Sequence, residues 1–174
     1  MNSLTPVGAS LSRRSVLLGA TASLLARADI ALAGSDAVES PIAWPPLRML
    51  DGSTLKATDW QGVPVVVVFW ATWCPYCKRH NAHIEALHQA SVGKKLRVLG
   101  VSTEADQAKV LNYVQANQFH FPVALADSSF RAQFSDRRVI PLTCLVSAKG
   151  RLVQAVPGEW SLDDVMALGA ATWA

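Results

Sequence analysis

The chain has 174 residues, which lies within the usual size of one domain, and a formal net charge of +3. Hydrophobic residues make up 51% and charged residues 17% of it, which indicates a globular protein with ample apolar material for a core. The small net charge and the lack of basic runs interleaved with aromatic residues argue against a nucleic-acid-binding protein. Three cysteines are too few for a disulfide-stapled scaffold and favour catalytic or metal-binding use.

The N-terminus has the pattern of an export signal. Arg13-Arg14 precedes a moderately apolar stretch over residues 15–26, and Ala31-Leu32-Ala33 matches the small-x-small motif of a cleavage site. We therefore expect a cleaved signal over residues 1–33, a mature chain that begins near Gly34, and a periplasmic location.

The composition of this signal bears on the export route. Its weak hydrophobicity and the trailing Arg27 favour the twin-arginine route over the general secretory route. Against this, Val16 and Leu18 replace the Phe and Lys that usually follow the twin arginine. An uncleaved membrane anchor is the alternative, but the apolar stretch is shorter than the roughly 18 residues that span a bilayer.

Residues 34–46 are polar and rich in proline, and we expect a linker there. Periodicity and turn residues predict the elements of the domain over residues 47–174. In chain order they are a hairpin over Leu47–Leu55 with a two-residue turn at Asp51-Gly52, a buried strand over Val65–Trp70, a helix over Pro75–Ser91, a strand over Leu96–Ser102, a helix over Ala105–Asn117, a strand over Phe121–Ala126, a short helix over Ser128–Phe134, a hairpin of Leu142–Ser147 and Leu152–Val156, and a last helix that begins at Ser161. Strands that alternate with helices predict an α/β sandwich with a mixed sheet.

Two cysteines follow the buried strand directly, in the run Cys74-Pro75-Tyr76-Cys77. A helix N-terminus has unpaired N–H groups and a partial positive charge, so a thiolate at Cys74 is stabilised there. Pro75 suits the first helical turn because it has no N–H to lose. Cys77 lies one turn further along, close enough to attack a mixed disulfide on Cys74. This arrangement predicts thiol–disulfide exchange, with Trp73 and Tyr76 supplying apolar surface beside the sulfurs.

The strand, the cysteine turn and the run Val139-Ile140-Pro141-Leu142-Thr143 together resemble the thioredoxin superfamily. The leading hairpin, the run Phe-Trp-Ala-Thr-Trp-Cys and an additional βα segment are most similar to its exported TlpA/ResA-like branch. This resemblance covers roughly Pro45 to Trp173. It implies a thioredoxin fold: a central mixed sheet flanked by helices, with an N-terminal hairpin and an extra βα insertion.

The resemblance also implies that Pro141 is a cis-proline facing the cysteine pair, the alternative being an ordinary turn proline. If the bond is cis, Ile140 offers its backbone N–H and C=O to a docked substrate strand. TlpA/ResA-like proteins usually carry Glu and Pro at the positions of His80 and Ala82, and thioredoxin has a buried carboxylate at the position of Val68. His80 could replace these carboxylates as a proton relay, since an imidazole titrates near neutrality. The alternative is an ordinary surface histidine.

The resemblance favours a reductase of protein disulfides, for example in the maturation of cytochrome c or of cytochrome oxidase, that a membrane protein keeps reduced. The Pro-Tyr dipeptide suggests an intermediate potential, so an oxidant of exported proteins like DsbA stays an alternative. A further alternative is a non-enzymatic accessory protein that binds Cu(I) between the two thiolates. We expect a monomer with no metal and no cofactor beyond the Cys74–Cys77 disulfide. Cys144 is expected to be a buried apolar residue, or else a third redox or metal thiol.

Overall fold

The structure is a computed structural model that describes residues 40–125 and 128–170, so the predicted export signal lies outside the described residues. Within them the strands are β1 (Ser40–Pro41), β2 (Leu47–Met49), β3 (Thr54–Leu55), β4 (Val65–Trp70), β5 (Arg97–Ser102), β6 (Val123–Leu125), β7 (Leu142–Val146) and β8 (Arg151–Pro157). The helices of the same ranges are α1 (Pro75–Ser91), α2 (Gln107–Ala116), α3 (Ser128–Ala132) and α4 (Leu162–Ala167), and one turn of 3-10 helix covers Ala57–Asp59.

The strands form one mixed sheet in the order β1-β8-β7-β4-β5-β6-β2-β3. Strand β4 pairs in parallel with β5, and β5 with β6, whereas β7 is antiparallel to β4. Every residue of β4 is buried, as its unbroken apolar sequence predicts for a strand that is covered on both faces. The mixed α/β fold and the central position of the strand before the cysteines are thus confirmed.

Side chains of β4 alternate between two separate cores. Val66, Val68 and Trp70 pack in one core with α1, α2 and α4. Val65, Val67 and Phe69 pack in the other core with Trp60, with α3 and with Phe134. Both cysteines of the pair belong to the first core, and Cys144 belongs to the second. The sheet therefore separates Cys144 from the pair.

The expected linker is wrong for residues 40–46, the part of 34–46 that the structure describes. Ser40 and Pro41 form the edge strand β1, opposite Leu152 and Arg151 of β8. Ile42 is buried in the second core, and the ring of Trp44 stacks on that of Trp60 with centroids 5.3 Å apart. Prolines are tolerated at a sheet edge, and the apolar side chains between them cover the sheet. The domain therefore begins at or before Ser40.

The hairpin around Asp51-Gly52 is present, with Leu47 opposite Leu55, but its loop is longer than the expected two residues. The Asp51 carboxylate accepts hydrogen bonds from the backbone N–H and the hydroxyl of Ser53, so Ser53 belongs to the loop as well. Gly52 has φ +84°, a conformation that glycine adopts without steric cost. None of the described helices is long and apolar enough to cross a membrane.

Candidate active site

Strand β4 delivers Cys74 to the N-cap of α1. Cys74 has an extended backbone, Pro75 begins the helix, and the Cys74 Sγ accepts the N–H of Cys77 at 3.3 Å. A free N–H of the first turn thus points at this sulfur, and the helix dipole adds a partial positive charge. The predicted placement of a thiol at a helix N-terminus is confirmed.

Cys77 lies one turn deeper and is fully buried, whereas Cys74 keeps 4% of its surface. Burial and the neighbouring Cys74 thiol raise the pKa of Cys77 from 9.0 to about 12, so this thiol is protonated at neutral pH. All three cysteines are free thiols, so the structure is that of the reduced protein. The pair is asymmetric: Cys74 retains a little exposed surface, and Cys77 lies behind it.

The Ile140–Pro141 peptide bond is cis, which confirms the expectation from the resemblance. Because β7 runs antiparallel to β4, its first residue Leu142 lies opposite Phe69 at the end of β4. The residues just before β7 therefore face the start of α1. The Ile140 carbonyl oxygen lies 3.9 Å from the Cys74 Sγ, which places the Ile140 backbone beside the reacting sulfur.

His80 is fully buried, so the alternative of a surface histidine is wrong. The N–H of Trp160 donates to its Nδ1 at 3.2 Å, and its Nε2 lies 2.8 Å from the Thr143 hydroxyl. Because Nδ1 accepts, the proton of the neutral ring is on Nε2 and points to Thr143. Burial lowers the pKa of His80 to about 4, so the imidazole is neutral at physiological pH. These bonds join α1 to β7 and to the segment before α4.

Apolar surface surrounds the sulfur of Cys74. Trp73 is 67% exposed and Tyr76 is 58% exposed, in agreement with their expected position beside the pair. Val139, which precedes Ile140 in the chain, is 46% exposed. Large apolar side chains that stay exposed together mark an interaction surface.

One charged pair on this surface was not foreseen. The Arg79 guanidinium donates to both carboxylate oxygens of Glu159, at 2.8 and 2.6 Å. It also lies 5.1 Å above the ring of Tyr76. Arg79 lowers the pKa of the Glu159 carboxyl, since the charged form is the one that it binds. The pair holds Tyr76 against the loop that follows β8.

A second unforeseen residue, Glu104, fixes the loop before Cys74. Its carboxylate accepts the N–H of Thr72 at 2.5 Å and the Thr72 hydroxyl at 3.0 Å, and it pairs with Lys109 at 2.5 Å. Burial opposes ionisation, but these hydrogen bonds lower the pKa of the Glu104 carboxyl overall. Glu104 follows β5, the parallel neighbour of β4, which is why it reaches this loop.

Cys144 is buried in the other core, on the far face of the sheet from the pair. Burial raises the pKa of its thiol, so it stays protonated and unreactive. This agrees with a residue that fills the apolar core. In the ranges 40–125 and 128–170 no group of three or more His, Cys, Asp or Glu side chains is arranged to hold a metal ion.

Comparison with known proteins gives the same assignment as the geometry. Residues 43–154 match the AhpC/TSA family. The thiol-disulfide oxidoreductase ResA of Halalkalibacterium halodurans is 26% identical over 159 residues, which cover 88% of each chain, and that of Bacillus subtilis is 25% identical over 125 residues, which cover 70% of each chain. The crystal structure of a thiol:disulfide interchange protein of the thioredoxin family from Chlorobium tepidum superposes with a TM-score of 0.68 at 21% identity, covering 79% of this chain and 100% of that one.

These matches agree with the expected ResA-like resemblance. The match to the family spans well over half of the chain, and it includes the cysteine pair at the start of α1 and the cis-proline before β7. This chain belongs to the AhpC/TSA family and has the thioredoxin-like fold, and the relatives that it resembles are thiol–disulfide oxidoreductases.

Proposed function

We propose that this chain is a periplasmic reductase of protein disulfides that acts through Cys74 and Cys77. The observation that carries the proposal is the asymmetry of the pair. Cys74 lies at a helix N-terminus beside the Ile140 backbone, whereas Cys77 is buried and protonated. Two-step exchange requires such a pair, with one thiolate that substrates reach and one thiol held behind it.

In the first step, the Cys74 thiolate attacks one sulfur of a substrate disulfide. A bond forms between Cys74 and that sulfur, the substrate S–S bond breaks, and the second substrate sulfur leaves as a thiolate that takes up a proton. Stabilisation of the attacking thiolate comes from the Cys77 N–H and the helix N-terminus. The resulting mixed disulfide links the protein to its substrate.

Docking of the substrate uses the surface around the sulfur. An extended substrate segment lies beside the backbone of Ile140, just before the cis-proline Pro141, and pairs with its N–H and C=O. Trp73 and Tyr76 are exposed on either side of Cys74 in the chain and supply apolar contact, and Pro75 is the first residue of α1. Main-chain pairing is independent of sequence, so it suits an enzyme that acts on folded and unfolded proteins.

In the second step, Cys77 loses its proton and attacks the Cys74 sulfur. The mixed disulfide breaks, the substrate cysteine leaves as a thiolate that is then protonated, and the Cys74–Cys77 disulfide remains. The substrate has gained two electrons, and the protein has lost two. A dithiol protein of the membrane restores the reduced pair by the reverse exchange, so no other cofactor is needed.

The proton of Cys77 leaves from a buried site, and we extend the proposal to His80 as its relay. His80 is one helical turn from Cys77, and Val68 takes the place of the carboxylate of thioredoxin. Because burial lowers the pKa of His80 to about 4, the ring holds a proton from Cys77 only transiently, and to accept it at Nδ1 His80 must release the N–H of Trp160. His80→Gln should slow the second step about tenfold or more and leave formation of the mixed disulfide unchanged. If the second step of His80→Gln is as fast as that of the wild type, the role of His80 is limited to holding α1 against β7.

The proposed periplasmic location and the proposed reducing direction of the exchange are supported by different observations. Export rests on the twin arginine and on the small-x-small motif before Gly34. Reduction rests on the similarity to TlpA/ResA-like proteins, since the Pro-Tyr dipeptide between the cysteines suggests an intermediate potential and does not decide the direction alone. The role in cytochrome c maturation rests on the same similarity.

The equilibrium reduction potential decides the direction. We would titrate the Cys74–Cys77 pair of the full chain in glutathione and dithiothreitol buffers and follow the free thiols. A value at or below about −200 mV is expected for a reductase, and a value near −120 mV would make the protein an oxidant of the DsbA type. Cys144→Ala should give the same value, because Cys144 lies on the other face of the sheet.

A further inference from the structure

A groove of about 680 Å³ begins next to the nucleophile and extends away from the surface described above. Trp73 and Ile140 form its near end, and its side is formed by α3 and the residues that follow α3. The Ile140 carbonyl oxygen is 3.9 Å from the Cys74 Sγ, so the Ile140 end of the groove lies near the reacting sulfur. A substrate segment that leaves the sulfur on this side enters the groove.

The wall of the groove is built around Arg131. Its Nη2 donates to the carbonyl oxygens of Arg137 at 2.9 Å and of Val139 at 2.8 Å, and its guanidinium lies 5.0 Å above the ring of Phe69. Arg131 therefore fixes residues 137–139, the segment just before the cis peptide. Arg138 lines the groove from this fixed segment, whereas Arg137 does not.

The charge of the groove is positive where Arg138 lies. Arg138 is exposed, and within residues 40–125 and 128–170 it forms no ion pair. Arg131 and Arg138 both line the groove, and after burial the charge of Arg138 also lowers the pKa of Arg131. Asp136 is the acidic residue among those that line the groove, and several serines, such as Ser102 and Ser135, add hydroxyl groups. Adjacent like charges of this kind attract an anion.

We propose that this groove binds the part of a protein substrate that flanks its target cysteine, and that Arg138 selects an acidic side chain there. The proposal rests on the proposed function and adds a preference to it. An extended chain advances about 3.3 Å per residue, and Arg138 lies two residues before Ile140, so the selected carboxylate lies about two or three residues from the target cysteine. The apolar end at Trp73 and the charged wall at Arg138 together suit such a peptide.

The test uses a short uncharged peptide with one cysteine, activated as a thiopyridyl mixed disulfide. Its variants carry Glu, Gln or Lys two residues before or after the cysteine. The Cys74 thiolate of the reduced full chain attacks the peptide sulfur, the Cys74–peptide disulfide forms, and thiopyridone leaves and is followed by its absorbance. Rates are compared for the wild type, Arg138→Gln and the matched control Arg137→Gln, which removes the same charge from a neighbour outside the groove.

On one side of the cysteine, the wild type should react about two- to fivefold faster with the Glu peptide than with the Gln peptide, and slower with the Lys peptide, as expected for an exposed ion pair. Arg138→Gln should abolish this order, and Arg137→Gln should keep it. Equal rates for all peptides, or an order that both variants change alike, would overturn the groove proposal alone. Failure of the wild type to react with any peptide would overturn the proposed function as well.

Discussion

The two thiols of the pair should differ greatly in reactivity when the reduced protein is alkylated. Burial and the Cys74 thiol raise the pKa of Cys77 from 9.0 to about 12, and its side chain is fully buried. At pH 9 an ordinary thiol of pKa 9.0 is half ionised, whereas one of pKa about 12 is ionised to about one part in a thousand. Since only the thiolate reacts, Cys77 should be alkylated several hundred times more slowly than an exposed thiol.

The assay is a short exposure of the reduced wild type to iodoacetamide between pH 7 and pH 10, followed by peptide mapping with mass spectrometry. We expect label on Cys74 at every pH and on Cys77 only in traces that increase about tenfold per pH unit. Cys144 should stay unlabelled in the folded protein, because it is buried. Labelling of Cys77 as fast as Cys74 at pH 7 would refute the assignment of nucleophile and resolving thiol.

Three further predictions follow from contacts in the structure. The reduced protein should lose stability as the pH rises above 9.0, by about 1.4 kcal/mol per pH unit for each thiol whose pKa burial raises. Urea unfolding should show a smaller loss for the oxidised protein, in which the Cys77 thiol is no longer free. Trp44→Ala should cost about 2 kcal/mol of unfolding free energy because it removes the stack on Trp60. The control Trp73→Ala, at a 67% exposed position, should leave stability unchanged. Equal losses would contradict the packing of residues 40–46 in the core. Glu104→Gln should keep the fold and lose about 1 kcal/mol of stability. It should also raise the reduction potential of the cysteine pair, because the variant removes a negative charge near the Cys74 thiolate. An unchanged potential would show that Glu104 acts on the loop only.

Those parts of the fold that depend on local pattern could be predicted from the sequence. The helix over Pro75–Ser91 and the strand over Val65–Trp70 have the predicted bounds, because a proline start, a run of valines and a following Gly93 are local signals. The same holds for the cysteine pair, whose position follows from the junction of these two elements. The cis state of Pro141 came from the family resemblance, since spacing alone does not distinguish it.

The parts that were missed depend on contacts between distant residues. Glu104 and Thr72 are 32 residues apart, and Arg79 and Glu159 are 80 residues apart, so no local pattern pairs them. The prolines of residues 40–46 predict a linker, whereas the apolar side chains of Ile42 and Trp44 among them become covered only once the sheet is assembled.

The sequence indicates His80 as a candidate relay but its burial was not predicted, for a different reason. It stands among polar residues, but it shares the buried face of α1 with Cys77 and Ile84 at helical spacing. That periodicity was a usable signal for burial. Its partners Thr143 and Trp160, however, come from strands and loops far along the chain.

Trapping of a substrate is the most direct test of thiol–disulfide exchange at this pair. We would incubate reduced Cys77→Ser and Cys74→Ser, each as the full chain, with a disulfide-containing protein and separate the products on a non-reducing gel. We predict a covalent complex with Cys77→Ser that dithiothreitol cleaves by reduction, and no such complex with folded Cys74→Ser. A complex with Cys74→Ser, or full reductase activity of that variant, would contradict the central claim that Cys74 is the nucleophile and Cys77 the resolving thiol.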